Sequence, residues 1–338
     1  MPGIFDSKAF NPEVFGQYME TVPRVKQNAF LSNGIFRVRP ELKTMMVDQT
    51  GGNFITLPMV GLIGGTPENY DGSTDITASS MGTYYQSMIA YGRAHAWTER
   101  DFTADITGHN FLEEAGKQIA GYWDDIQQGI VLSVLKGIYA MATSNAGGFV
   151  AAHTYTTKAL GAATLNNAIT KAVGANKGIF RMAIMNSVDA AKLEELKLVD
   201  YAKYTDANGV QADTTMTTWN GRTVLVDDDV PVNTIYLLGE GAFDYCDLGA
   251  RVPYETNRDP YKNGGMDALI TRERKLIAPR GISFVQPSTA IVSPTNAELE
   301  TAARWNIVKD TAGTAYNHKA IPIAKIVVDS SAATPDGN

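Results

Sequence analysis

The chain of 338 residues contains a single cysteine, Cys246. An intrachain disulfide is therefore impossible, and a cysteine-built metal site is argued against. Charge is scarce too. Asp, Glu, Lys and Arg make up 19% of the residues, against about 25% in an average soluble domain. Acids outnumber bases 36 to 29, giving a net charge of −7 and a pI near 5.2. A dedicated nucleic-acid grip or an anionic-membrane binder needs the opposite balance. No run of about 18 apolar residues exists, so no membrane partner is expected. The longest candidate, around Ile126 to Ala142, is broken by Gln127, Gln128, Lys136 and Gly137. The first residues, Met1 to Phe15, lack a basic stretch ahead of an apolar run. That pattern predicts no secretory signal and a soluble, intracellular chain.

The usual catalytic motifs are missing as well. Gly174-Ala175-Asn176-Lys177-Gly178 has a lysine but neither the spacing nor the Ser/Thr of a phosphate-binding loop, and a helix-to-strand turn explains it. No GxGxxG follows a strand, and no GxSxG elbow occurs. His95, His109, His153 and His318 form no HxH or HxxxH pair. Asp227-Asp228-Asp229 is the densest acid cluster. It reads as a divalent-cation site or as a strand-end turn ahead of Pro231, and the turn is the simpler reading. Asp206-Ala207-Asn208-Gly209 opens like a calcium loop without the closing glutamate. Glu99, Asp101, Glu113 and Glu114 could supply paired carboxylates, but read better as solvated charges. The four tryptophans suit core or interface packing, and Cys246 suits a small buried hydrophobe. No catalytic residue, metal site or cofactor is assigned.

What is present is an ordered series of segments. Residues 1–45 are the most basic stretch and carry Pro2, Pro12, Pro23 and Pro40, so they read as an arm with short helical turns. Residues 46–98 hold two β-like runs, Phe54 to Val60 and Tyr84 to Gly92, joined by a glycine-rich polar stretch. That is a long two-stranded hairpin. A hairpin standing alone is marginal in water, so it calls for a partner surface. Leu112, Ala115, Ile119, Tyr122, Ile126, Ile130, Val134 and Ile138 recur at spacings of three and four and predict a helix over 111–141. Residues 143–253 alternate helix and strand patterns, residues 254–290 return as strands, and 291–338 add a polar segment with two short strands and a tail.

This order resembles the major capsid proteins of tailed phages, the Hong Kong 97 fold, and local stretches strengthen the likeness. Ile119-Ala120-Gly121-Tyr122-Trp123-Asp124-Asp125 through Leu135-Lys136-Gly137-Ile138-Tyr139 is similar to the spine helix of one branch of that family. Met185-Asn186-Ser187 through Leu198-Val199-Asp200 resembles its axial-domain helix. Trp219-Asn220-Gly221-Arg222 through Asp228 resembles the strand and turn that follow. Gly239 to Ala242, Arg258-Asp259, Arg272 and Pro279-Arg280-Gly281 also fit.

The resemblance implies an α+β fold with an N-terminal arm at 1–45 and an extended loop at 46–98. A peripheral domain with the spine helix would span 99–142 and 254–290, an axial domain 143–253, and a C-terminal extension 291–338, read as an added strand pair or clasp. It implies a shell of hexamers and pentamers around double-stranded DNA, in a virion assembled in the bacterial host cytoplasm. A portal protein would be a partner. The short arm cannot supply a built-in scaffold, so a separate scaffolding protein is expected. Phe54, Ile55, Leu57, Met59 and Ile89 of the extended loop are expected to pack on the next subunit. Arg24, Lys26, Arg37 and Arg39 are the candidates for weak, nonspecific DNA contact. Some relatives lock the shell through a lysine on this loop, but no lysine lies between Lys43 and Lys117, so a non-covalent lock is expected. An encapsulin-like compartment shell is the alternative in the same fold, and a metabolic α/β enzyme lacks convergent titratable groups.

Overall fold

The computed structural model describes residues 25–48, 53–61, 67–73, 75, 82–107, 111–205, 211–310 and 313–331. Two mixed sheets organise it, and both are crossed or flanked by helices. The first contains β1 (Phe36–Val38), β2 (Phe54–Val60), β3 (Thr83–Arg100), β10 (Phe243–Asp247), β11 (Tyr254–Asp259) and β12 (Met266–Pro279), in the order β1-β10-β12-β3-β2 with β11 also on β12. Strand β3 is the pivot. Its first half pairs β2, from Val60↔Thr83 to Phe54↔Ile89, and its second half pairs β12, from Leu276↔Ala90 to Met266↔Arg100. The hairpin expected at 46–98 is therefore continuous with the sheet of the domain beside it.

Helix α3 (Phe111–Tyr139), 29 residues and about 43 Å long at 1.5 Å per residue, lies along one face of this sheet. Helices α1 (Val25–Ser32) and α2 (Glu41–Asp48) precede it. A helical turn advances about 5.4 Å and two strand residues about 6.6 Å, so the two elements keep step over several contacts. Ile119, Ala120 and Trp123 pack on Leu269. The Trp123 indole donates to Thr271 Oγ1 at 3.2 Å, and Lys275 Nζ donates to Gln127 Oε1 at 3.1 Å. Lys275 is buried and satisfied by Glu273 at 2.7 Å, which keeps a charge inside without leaving it alone. Residues 130–135 are buried all round, so the second half of the helix is an axis of the core and not a one-sided surface helix. On the opposite face of the sheet, Leu42 and Met46 of α2 cover Cys246, Leu276 and Ala278.

The second sheet has seven strands in the order β4-β15-β9-β5-β8-β7-β6. These are β4 (Thr154–Thr157), β5 (Phe180–Met185), β6 (Val199–Thr205), β7 (Gln211–Trp219), β8 (Arg222–Val226), β9 (Thr234–Gly239) and β15 (Ile323–Val328). Helices α4 (Thr164–Val173) and α5 (Ser187–Glu195) accompany it, α5 being capped by the Asn186 side chain on the Val188 amide. The Asn220–Gly221 turn has φ of 48° and 76°, the pair of positive values that a tight hairpin between β7 and β8 requires. Strands β6 and β7 occupy what reads in the sequence as a glycine-punctuated loop. Their polar Thr and Tyr residues hide a strand from a hydrophobicity pattern. Asp206 to Gly209 lie outside the described residues.

The C-terminal segment departs from the expected clasp. β15 is an interior strand, parallel to β4 and antiparallel to β9, with Ile323, Ala324 and Ile326 fully buried. Upstream, β13 (Ile282–Phe284) pairs β14 (Trp305–Ile307), and α6 (Asn296–Glu300) packs beside α3. Ser133 Oγ donates to Glu300 Oε1 at 3.1 Å, and the Trp305 indole donates to the Leu299 carbonyl at 2.6 Å. Gly137 makes this approach possible. A Cβ there would stand 2.0 Å from the Leu299 oxygen.

Candidate functional site

The extended hairpin has two unlike faces. Ile55, Leu57 and Met59, with Met88, Gln86 and Tyr84 opposite them, turn toward the chain's own body. Gln86 Nε2 donates to the Pro279 and Ile282 carbonyls at 2.7 and 3.2 Å, and the Ser87 amide donates to Ser283 Oγ at 3.1 Å. The Tyr84 ring meets Tyr316 edge-on at 5.4 Å. Leu57 and Ile55 are each 9% exposed, and Ile89 is buried. Phe54 and Met59 are half-buried against the main core.

These five residues, expected on the next subunit, belong largely to the core of their own chain. The reason is that α2 with β10 and β12 covers Ile55 and Leu57, while the turn at 279–282 and the C-terminal segment engage Gln86 and Tyr84. Toward the tip the other face is open: Thr56, Pro58, Val60, Thr83 and Tyr85 are exposed, Val60 by 64% and Tyr85 by 54%. The period-two alternation was visible, but both faces carry apolar residues, so the sequence could not say which is covered.

Two of the four candidate DNA contacts are engaged inside the chain. Arg37 forks onto Asp244, Nε to Oδ1 at 2.6 Å and Nη2 to Oδ2 at 2.9 Å. Arg39 reaches Asp244 Oδ2 at 3.4 Å and Glu41 Oε1 at 2.7 Å. Asp244 is buried on β10, which pairs in parallel with β1. The two arginines thus neutralise a buried carboxylate and pin the arm strand to the sheet, a role that competes with phosphate binding. Arg24 and the side chain of Lys26 lie outside what the structure describes.

The acid cluster serves as turn chemistry. Asp227 Oδ1 accepts the Asp229 amide at 2.9 Å and Asp228 Oδ1 the Ser187 amide at 3.3 Å. Those Ser187 hydrogen bonds hold the Asp228 carboxyl below its usual range. Asp101 is engaged by Arg258 at 2.6 Å. Among the described residues no three His, Cys, Asp or Glu side chains converge as metal ligands. A contact between buried His153 and half-buried His318 went unnoticed in the sequence because 165 residues separate them. His153 Nδ1 donates to the Ile323 carbonyl at 2.6 Å, and its Nε2 accepts from His318 Nδ1 at 3.2 Å. The carbonyl can only accept, which sets this tautomer. Burial pushes His153 down to about 4 and lowers His318 as well, so both rings are neutral at pH 7, and His153 ties the start of β15 to the start of the helical turn at His318–Ala320. Cys246 is buried, and burial raises its thiol. These side chains position elements, and the exposed features left over are surfaces.

Comparison with known proteins agrees with that emphasis. No protein-family model matches the chain. The chain is similar to the major capsid protein of Bacillus phage SPP1, at 25% identity over 317 residues, covering 88% of this chain and 92% of that one. Among solved structures, the capsid asymmetric unit of cyanophage Pam1 superposes with a TM-score of 0.53 at 11% identity, over 92% of this chain and 94% of the other. The capsid of Ralstonia phage GP4 gives 0.50 at 12% identity, over 74% and 84%. The fold is therefore the α+β fold of tailed-phage capsids, the Hong Kong 97 type.

Proposed function

We propose, from this kinship, that the chain is the major capsid protein of a tailed double-stranded DNA phage and builds the head shell by self-assembly. The observation that carries the reading is the full-length likeness to a phage major capsid protein in sequence, joined to the capsid fold. The architecture supports it. A long helix locked to a twisted sheet makes a stiff plate, and the chain leaves solvent-facing apolar side chains, among them Val60, Tyr85, Phe102, Ile106 and Tyr261, on its periphery. Such residues suit burial between copies.

The role is structural and non-enzymatic. Subunits form hexamers and pentamers, assembled in the host cytoplasm with a separate scaffolding protein and a portal, and the mature shell resides in the virion. Packaged DNA meets the inner surface weakly, because the net charge is −7 and Arg37 and Arg39 are already paired. Arg24 and Lys26 of the arm remain as nonspecific, salt-sensitive contacts. The lock between subunits is non-covalent. Sedimentation and negative-stain imaging of the expressed protein, with and without its scaffold, test the reading. Closed shells are expected, and a chain that stays monomeric under both conditions refutes it.

A further inference from the structure

Where glycine follows asparagine, the side-chain carboxamide and the next backbone nitrogen can meet, because glycine adds no Cβ to block the approach. Four such steps occur: Asn33–Gly34, Asn208–Gly209, Asn220–Gly221 and Asn263–Gly264. The second lies outside the described residues. The fold treats the other three differently.

Asn33 is held at both reacting groups. Its Nδ2 donates to the Ala29 carbonyl at 2.8 Å, and its Oδ1 accepts from Thr223 Oγ1 at 3.0 Å. The Gly34 amide donates to the Leu31 carbonyl at 3.0 Å, so its nitrogen is engaged as well. Asn220 is exposed, but its turn is clamped by the pairs Trp219↔Arg222 and Thr218↔Thr223. Its carbonyl accepts from Arg222 Nη1 at 2.9 Å. Turning Asn220 far enough to close a ring on Gly221 would pull the β7–β8 hairpin open.

Asn263 is held far more lightly. It and Gly264 are exposed in the connection 260–265 between β11 and β12. The Asn263 side chain reaches Met266 Sδ at 3.9 Å, a weak acceptor. The Gly264 amide has no partner among the described residues. A Cβ at Gly264 would meet nothing within 4 Å, so the space around the step is open. Both residues stand at positive φ, 55° and 79°. A single backbone bond closes this turn, from the Gly265 amide to the Lys262 carbonyl at 3.0 Å. The nearest ladder pair is Asp259↔Met266, and the two following glycines let the backbone turn without steric cost.

We infer that Asn263 is a self-modifying site. The Gly264 amide gives up its proton, its nitrogen bonds to Asn263 Cγ, and the Cγ–Nδ2 bond breaks as ammonia leaves with that proton. The cyclic imide then takes up water. Opening at the side-chain carbonyl yields aspartate, and opening at the main-chain carbonyl yields isoaspartate. The net change is carboxamide plus water to carboxylate plus ammonium, with no oxidant or cofactor. Either product adds a negative charge beside Lys262 and the exposed Tyr261. Isoaspartate also lengthens the backbone just ahead of Gly265, whose carbonyl accepts the Asp101 amide at 3.2 Å. Asp101 in turn grips Arg258 at 2.6 Å, so the change reaches the start of the short helix Asp101–Thr107. The site is a slow, one-way clock at the edge of the first sheet.

The inference does not depend on the shell reading and is tested on the full-length chain before assembly. Folded protein is held at mildly alkaline pH and physiological temperature, sampled over weeks, digested and mapped by mass spectrometry. The peptide spanning Asn263 should gain about 1 Da and should accept a methyl group from an isoaspartyl methyltransferase. Peptides spanning Asn33 and Asn220 should lag by about tenfold or more, because their hydrogen bonds must open first. Asn263→Gln should keep the wild-type melting curve and abolish labelling of that peptide, since the larger ring closes far more slowly. In urea the ranking of the three should collapse. If Asn263 stays intact in the folded chain, or reacts no faster than Asn33 and Asn220, the inference is wrong. A ranking that survives unfolding would also overturn it, because the fold would not be its cause.

Discussion

Three glycines on α3 make opposite predictions from one substitution. Gly121, Gly129 and Gly137 all lie inside the helix. A Cβ added at Gly121 or Gly129 meets nothing within 4 Å, whereas at Gly137 it meets the Leu299 oxygen at 2.0 Å and the Trp305 indole nitrogen at 2.4 Å. Replacing a helical glycine by alanine stabilises by about 1 kcal/mol when nothing is in the way. At Gly137 the same change must push α6 and Trp305 away from the helix. That strains or breaks the 2.6 Å bond between Trp305 and Leu299, and overpacking of this kind costs about 1–3 kcal/mol. The two contacts at Gly137 are backbone and a buried ring, neither able to swing aside.

Gly121→Ala and Gly129→Ala should therefore raise the melting temperature of the unassembled subunit, and Gly137→Ala should lower it. At about 2 °C per kcal/mol for a large domain, the separation between the two classes should be several degrees by circular dichroism. A Gly137→Ala subunit as stable as the other two would refute the placement of the C-terminal segment against the helix.

Leu57→Asp should unfold or aggregate the isolated subunit, since a charge would be buried at a site 9% exposed and such changes cost several kcal/mol. Val60→Asp on the open face should leave the monomer melting curve within about 0.5 kcal/mol of wild type while lowering assembly, and equal behaviour of the two would contradict the two-faced hairpin. The folded-state pKa of His153 lies near 4, below its ordinary 6.5, so the unfolded chain binds the extra proton first. Stability is then full above pH 6.5 and falls as the pH drops toward 4, by at most about 3 kcal/mol. Urea midpoints measured across that window should show the slope in the wild type and lose most of it in His153→Gln. Boiled mature particles should run as one band near 36.5 kDa, and a ladder that survives heat and reductant would overturn the non-covalent lock.

Much of the fold was legible because its strongest signals are local. The three-and-four spacing from Leu112 to Ile138 gave α3 to within two residues of its observed end. The Asn220–Gly221 dipeptide announced its own turn. The assembly surfaces were less legible, for a physical reason. Alternation along Phe54–Val60 marks a strand but not which side is covered, and much of the cover comes from Cys246, Leu276, Ala278 and Tyr316, far along the chain, with Leu42 and Met46 of α2. Arg37 and Arg39 looked free for the same reason, since their partner Asp244 is 207 and 205 residues distant. β15 looked like an appendage because it is short and terminal, and only its pairing between β4 and β9 makes it interior. The His153–His318 contact has no sequence signal at all.

The most direct test of the account is a cryo-electron microscopy reconstruction of the particles this chain forms when expressed with its assembly partners. The account predicts closed icosahedral shells of hexamers and pentamers. A discrete small oligomer in place of closed shells would contradict it.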